Sequence, residues 1–129
     1  MRYMFLIYSR GDEEPLSPDE DMATRLAHRA VMDDARARGI FQGAEPLAPT
    51  STATTVRQQQ GKILVTDGPF AETKEQLAGY YILDCHDLDD ALEWAARIPT
   101  HCRGGAGCIE VRPLPGMMAA VAPHAATAS

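Results

Sequence analysis

The first apolar segment of the chain constrains its fold more than any other feature. Residues 3–8 read YMFLIY, a run of aromatic and aliphatic side chains that is typical of a β-strand. Because side chains alternate along a strand, both faces of this one are apolar, and such strands are covered on both faces. In a chain of 129 residues the helices can cover one side of a sheet, so something else must cover the other. The sequence therefore predicts a homodimer.

Composition excludes several classes of protein. The chain has 45% apolar and 23% charged side chains, which suits a single globular domain of this length. A formal net charge of −6 argues against nucleic-acid binding, which needs a basic surface. No segment approaches the ~18 consecutive apolar residues that suggest a membrane helix. Three cysteines without a Cys-x-x-Cys spacing fit a reducing compartment. We expect a cytoplasmic domain that binds neither nucleic acid nor membrane.

Local signals predict two helices. The first helix is predicted to begin with Ser17 as its N-cap and Pro18 in its first turn, and Glu20 completes a capping box with Ser17. Asp87 is the N-cap of a second helix, which Pro99 ends. The predicted buried stripes are Met22, Ala23, Leu26, Ala27, Ala30 and Val31 in the first helix, and Leu88, Ala91, Leu92, Trp94, Ala95, Ala96 and Ile98 in the second.

The remaining patterns predict an α+β fold. Residues 54–57 and 62–66 read as a hairpin, and residues 79–85 and 108–114 as two further strands, with short-strand material between residues 40 and 49. The resulting order, β-α-β, an inserted β-hairpin and β-α-β, is the ferredoxin-like split βαβ plan, with both helices on one face of an antiparallel sheet. Two such sheets packed face to face would close into a dimeric α+β barrel.

The domain is predicted to end before the chain does. Residues 1–114 carry the strand and helix patterns, whereas residues 115–129 are rich in alanine and contain no charged residue. This tail has too little bulky apolar surface to fold alone. It is either a frayed end or an arm that lies over a partner, and both interpretations stay open.

One motif carries a resemblance to a known family. Residues 66–81 read TDGPFAETKEQLAGYY, which contains the tetrapeptide Asp67-Gly68-Pro69-Phe70. Together with residues 3–8, 53–57, 87–99 and 110–113, this run resembles the DGPF-domain branch of the YCII-related family, over roughly residues 1–114. The resemblance implies a ferredoxin-like dimeric barrel, a fold shared with small isomerases, lyases and monooxygenases that act on ring compounds. It also implies an association with extracytoplasmic-function sigma factors.

The resemblance further implies a candidate acid/base pair. A histidine and an aspartate have been proposed as such a pair in the wider group, and Asp67 matches the aspartate of the motif, with His28 as the candidate histidine. Asp67 can alternatively be a turn residue that bonds nearby backbone. At a strand end beside a dimer cleft it would instead serve as a general base, with Glu72 as a third candidate catalytic residue. Both interpretations of Asp67 stay open.

Six further residues are candidates for binding a substrate. The guanidinium groups of Arg57 and Arg112 offer a bidentate fork to a carboxylate or enolate, or else form cross-strand ion pairs with an acid such as Glu110. Tyr80 and Tyr81 face opposite ways on one strand, so one of them would line the space between two sheets. Phe70 and Lys74 of the motif complete this set.

A metal site is not expected. Cys85, His86, His101, Cys102 and Cys108 lack a recognised zinc-ligand spacing, and the family resemblance brings neither a metal nor a cofactor.

Two functions are consistent with these features. The first is a cofactor-independent acid/base enzyme, isomerase- or lyase-like, acting on a small organic compound in a cleft of the homodimer. It predicts a pocket of about 300 Å³ or more that contains Asp67. The alternative is a non-enzymatic ligand-sensing or adaptor module associated with a sigma factor, which would expose an apolar patch outside the dimer interface.

Overall fold

The strands and helices follow one another in the predicted order. A computed structural model describes residues 1–11, 15–100 and 107–116 of the chain. The predicted tail beyond residue 116, and His101 and Cys102, lie outside the described residues. The elements are β1 (Arg2–Arg10), α1 (Pro18–Ala37), β2 (Phe41–Pro46), a 3-10 turn (Thr50–Thr52), β3 (Thr54–Gln59), β4 (Lys62–Asp67), β5 (Glu75–Asp84), α2 (Leu88–Arg97) and β6 (Cys108–Leu114).

A four-stranded antiparallel sheet forms the body of the protein. Its strand order is β2-β5-β1-β6, and β3 and β4 pair only with each other as a separate hairpin. This is the ferredoxin-like α+β architecture, so the predicted fold class is confirmed. Phe5 in β1 lies opposite Tyr81 and Val111, whereas Leu6 lies opposite Tyr80 and Glu110. Because side chains alternate along a strand, the residues opposite Phe5 lie on one face of the sheet and those opposite Leu6 lie on the other.

The hydrophobic core lies between one face of this sheet and the helices. Phe5, Leu83 and Cys85 are the largest fully buried side chains. Trp94 is also buried, and the guanidinium groups of Arg38 and Arg97 lie 5.4 Å and 4.3 Å from its ring. The other buried core residues are Tyr3, Ile7, Val31, Ala35, Tyr81, Ala91 and Ile98. Within the described residues, no helix is long and apolar enough to cross a membrane.

Helix α1 buries a different face from the predicted one. Val31 and Ala35 are its buried residues, while Met22 and Leu26 of the predicted stripe are each 56% exposed. The prediction was therefore right for Val31 and wrong for Met22 and Leu26. The remaining residues of the predicted stripe are also exposed: Ala23, Ala27 and Ala30. Ala35, which the predicted stripe did not include, is fully buried. Contact with the sheet decides the buried face, since apolar residues occupy more than one side of this helix.

Helix α2 shows the same difference. Ala91 and Trp94 are buried, whereas Leu88 and Leu92 remain about half exposed. The predicted stripe was wrong for these two leucines and right for Ala91 and Trp94. Burying an indole removes more apolar surface from water than burying a leucine, so the helix turns Trp94 toward the core.

The second face of the sheet carries apolar side chains, and neither of the two described helices packs on it. We call Met4, Leu6, Tyr8, Tyr80 and Ile82 the open face; each is half-buried in the single chain. The two edge strands, β2 and β6, each contain a proline within the strand. Because proline lacks the N–H that a neighbouring strand would need, these edges disfavour extension of the sheet by another strand.

The start of α1 forms the predicted capping box. The Glu20 N–H donates to Ser17 Oγ at 3.2 Å, and the Ser17 N–H donates to Glu20 Oε1 at 2.9 Å. We expect Ser17→Ala to lower the free energy of unfolding by about 1 kcal/mol, because it leaves a helix N–H without its acceptor. Urea denaturation followed by circular dichroism measures this loss, and Ser17→Thr is the matched control that keeps a hydroxyl. An unchanged stability in Ser17→Ala would contradict the role of the cap.

Candidate functional site

The motif loop begins where β4 ends, at Asp67. Gly68 adopts a φ of 97°, a conformation that favours glycine. Its N–H donates to the Ala53 carbonyl at 2.7 Å, and the Thr55 hydroxyl donates to the Gly68 carbonyl at 2.7 Å. Arg57 Nη2 donates to the Phe70 carbonyl at 3.1 Å. These bonds fasten the loop to β3, so the motif has a structural role whatever else it does.

A cavity of about 560 Å³ lies beside this loop. The motif loop forms one wall, the segment between β2 and β3 forms another, and the facing ends of β1 and β5 form the base. We call it the motif cavity. Its lining residues are Tyr8, Leu47, Ala48, Pro49, Thr50, Thr52, Ala53, Pro69, Phe70, Ala71, Thr73, Glu75, Gln76 and Leu77.

Among the described residues, two with ionisable side chains line the motif cavity, Tyr8 and Glu75, and each has a polar neighbour on β6. The Tyr8 hydroxyl donates to Glu110 Oε1 at 3.3 Å, and Cys108 Sγ donates to Glu75 Oε2 at 3.8 Å. Sequence reasoning assigned Tyr8 only to the strand and missed Glu75 as a site residue. Strand pairing reveals the group, because Tyr8 lies opposite both Cys108 and Leu77.

The surroundings of these groups keep the phenol and the thiol protonated. Desolvation raises the pKa of Tyr8, and the nearby Glu110 carboxylate raises it further. Desolvation and then Glu75 raise the pKa of the Cys108 thiol in the same way. A thiol in this setting is a poor nucleophile, because the thiolate is the reactive form. The Tyr8 hydroxyl is therefore neutral at neutral pH and bonds Glu110.

The predicted catalytic residues Asp67 and Glu72 lie near this cavity but outside its described wall. Asp67 is exposed at the end of β4, opposite Thr54 in the hairpin, and Gly68 next to it bonds Ala53 of the wall. The backbone of Asp67 therefore lies at the rim of the cavity, and Asp67 is not among the residues of the described wall. Glu72 is exposed on the loop beyond Phe70.

His28 lies on the opposite side of the sheet from the motif cavity. It is half-buried, and its Nδ1 lies 2.7 Å from the Tyr81 hydroxyl. Tyr81 lies opposite Phe5 in the core, whereas Tyr8 points to the open face. Burial raises the pKa of Tyr81 to about 12, so its hydroxyl stays neutral. His28 thus contacts Tyr81 on the helix side of the sheet. Within one chain, this pair lies on the other side of the sheet from the cavity beside which Asp67 lies.

The six predicted binding residues are distributed over several surfaces. Phe70 contributes to the cavity wall although it is 77% exposed, and Lys74 is exposed just before β5. Tyr80 lies on the open face, and Arg112 is opposite Met4 of the same face. Arg57 holds the motif loop, as described above, and Tyr81 is in the core.

A metal-binding cluster is not formed by the part of the chain that the structure describes. No group of three or more His, Cys, Asp or Glu side chains converges there in a way that could hold an ion. Of the five residues considered for a metal, Cys85 is fully buried and Cys108 is exposed beside Glu75.

Comparison with known proteins identifies the family. The model of the YCII-related domain matches residues 1–117. An uncharacterized protein of Rhizobium meliloti (strain 1021) is 50% identical over 115 residues, which covers 88% of this chain and 92% of that protein. The match extends through both halves of the sheet, the hairpin and the motif loop. With its ferredoxin-like sheet and its motif cavity, the chain belongs to the YCII-related family.

Proposed function

We propose that this protein is a cofactor-independent acid/base enzyme that acts on a small organic compound held in the motif cavity. The observation that carries the proposal is the cavity itself, a space of about 560 Å³ bounded by the loop that follows Asp67. That volume lies within the range of about 300–1,000 Å³ that is typical of small-molecule sites. Its lining is mainly apolar with a few hydroxyl, amide and carboxylate groups, which is also typical of such sites.

Proton abstraction next to a carbonyl is the reaction that these groups fit best. Asp67 at the rim is the proposed base, because an exposed carboxylate can reach a substrate that lies across the cavity mouth. Removal of a proton builds negative charge on the carbonyl oxygen, and a neutral hydroxyl can donate to that oxygen. Tyr8 of the wall supplies such a hydroxyl if it exchanges its bond to Glu110 Oε1 for one to the substrate oxygen. Isomerisation and elimination share this step.

A proton-exchange assay tests the proposal. The protein is incubated in D₂O with phenylacetone, a neutral aromatic ketone, and loss of the benzylic proton signal is followed by NMR. We expect proton exchange to be faster with the folded protein than with a sample of the same protein that has been unfolded, both measured in the same buffer. If exchange is equally slow in both samples, for phenylacetone and for a series of related aryl ketones, the proposed activity is wrong.

A homodimer belongs to this proposal, because the cavity borders the open face. Tyr8 and Leu77 of the cavity wall lie on strands whose other side chains form that face. A second sheet on the open face would exclude water from the apolar side chains and narrow the cavity mouth. Glu110 and Arg112 lie two residues apart on β6 and so belong to the same face of the strand. A twofold-related copy can therefore place the negative charge of one chain against the positive charge of the other.

Leu6→Lys tests the homodimer. It places an ammonium group on the open face, and we expect the wild-type mass of twice 14.0 kDa to fall to that of one chain. Size-exclusion chromatography with light scattering measures the mass at several concentrations. Leu92→Lys is the matched control, since Leu92 is 49% exposed on α2 and away from the open face. A monomeric wild-type protein, or a Leu6→Lys variant that remains dimeric, would contradict the arrangement.

A further inference from the structure

The charge of the motif cavity restricts what can bind there. Among the described residues of its wall, Glu75 is the acid, and none is lysine, arginine or histidine. Tyr8 is neutral, and the carboxylate of Glu110 lies just behind it. A ligand in the cavity therefore lies against Glu75 of the described wall, and Glu110 is next to Tyr8 of the same wall.

The cationic side chains near the cavity lie outside this wall. Arg57 donates to the Phe70 carbonyl from β3, and Arg112 lies on the outer strand β6, opposite Met4. Arg10 is opposite Glu75 at the end of the ladder, and Lys74 precedes Glu75 in the chain. None of the four is part of the described wall. A carboxylate ligand, which Arg57 and Arg112 were predicted to anchor, thus finds no cationic partner within the described wall.

The apolar part of the wall fits an aromatic or aliphatic body. Leu47, Leu77 and Phe70 all line the cavity and are each more than a third exposed in the single chain. Phe70 and Tyr8 also present aromatic rings, whose faces attract cations. A second hollow of about 230 Å³ shares the wall from Leu47 to Thr50 and extends the space toward Ser9.

We propose that the motif cavity selects neutral or positively charged organic molecules, with primary arylalkylamines as the favoured class, and discriminates against carboxylates. Glu75 is the specificity-determining residue, because its carboxylate pairs with an ammonium group and repels an anion. The inference rests on the cavity of the proposed function, but it concerns binding and not turnover. It accounts for an acidic wall in a site where the sequence predicted arginine anchors.

Three probes with the same ring and different charge test this selectivity. Benzylamine, benzyl alcohol and benzoate are titrated into ¹⁵N-labelled full-length protein, and dissociation constants are taken from the shifts of wall amides such as those of Gln76 and Leu77. We expect benzylamine to bind about tenfold or more tightly than benzoate. The ligand charge changes sign between the two, and at ~4 Å from a carboxylate in water that change in Coulomb energy corresponds to such a ratio of dissociation constants. Benzyl alcohol should lie between them, and added salt should reduce the ratio.

Glu75→Gln removes the charge and keeps the shape of the side chain. In this variant the ratio of benzylamine to benzoate affinity should fall clearly but stay above one, because the carboxylate of Glu110 remains beside Tyr8. Glu93→Gln is the matched control: it removes the same charge from an exposed position on α2 and should leave the ratio unchanged. The wild-type titrations decide the question even if Glu75→Gln is poorly folded, because they compare three ligands on one protein.

The outcomes separate this inference from the proposed enzyme activity. Tighter binding of benzoate would assign the site to a cation such as Arg10 and overturn the inference, while leaving the proposed activity intact. Absence of any shift at the wall amides would overturn both. Preference for benzylamine without proton exchange in any ketone would support the inference and contradict the enzyme.

Discussion

Phe5→Ala is expected to lower the free energy of unfolding by about 3–5 kcal/mol, the range found when a buried aromatic side chain is removed. Phe5 is fully buried at the centre of the sheet, where it lies opposite Tyr81 on β5 and Val111 on β6. Removing its ring leaves a cavity that three strands and the helices above them would have to close. Packed sheets relax only partially, so most of the cost should remain.

Urea denaturation at a fixed protein concentration measures this effect, since association would otherwise change the apparent stability. The matched control is Phe70→Ala, because Phe70 is 77% exposed and its loss should change stability by less than about 0.5 kcal/mol. A similar loss in both variants would mean that Phe5 is not at the centre of the cooperative core. A loss below about 1 kcal/mol in Phe5→Ala would have the same meaning.

Asp67→Asn is expected to lower the rate of proton exchange in phenylacetone by about 10²–10⁴-fold, the usual contribution of a positioned base. The amide keeps the size of the carboxylate and can still bond backbone in a turn, so the motif loop should remain intact. The variant removes the proton acceptor and leaves Tyr8 and Glu75 in the cavity wall unchanged.

Initial rates of deuterium incorporation, with NMR spectra that confirm an unchanged fold, measure the effect of Asp67→Asn. Glu93→Gln again serves as the charge control and should retain the wild-type rate. If Asp67→Asn exchanges protons within twofold of the wild type while the fold is intact, Asp67 is a turn residue and the base must be sought elsewhere. Glu75 is then the next candidate, because it is the acid in the described wall.

The helix boundaries illustrate what could be predicted from the sequence. The Ser17 cap and the first-turn Pro18 placed the start of α1 correctly, and the Asp87 cap did the same for α2. Such signals act over three or four residues, so they can be recognised without knowing the rest of the fold. The buried faces could not be fully predicted in this way, because both Leu88 and Trp94 of α2 are apolar and only packing against the sheet leaves Leu88 exposed and Trp94 buried.

The candidate site was predictable only in part, for the same reason. The motif from Asp67 to Phe70 was recognised in the sequence, and it does border the cavity. Glu75 and Cys108 are 33 residues apart, and Tyr8 and Glu110 are 102 residues apart. Their proximity depends on the register of β1 with β5 and β6, which no local pattern reveals.

Local chemistry along this chain specifies where its helices begin, which segments extend into strands, and that the first strand is apolar on both faces. The fold class follows from that pattern, and the family resemblance is carried by the motif of residues 66–81 and confirmed by the comparisons. Tertiary pairing decides the rest: His28 meets Tyr81 beneath the helices, while Glu75 and Tyr8 meet the motif loop at the end of the open face. The physical reason is that strand register brings distant side chains within a few ångströms, and these distances set the charge and shape of the cavity.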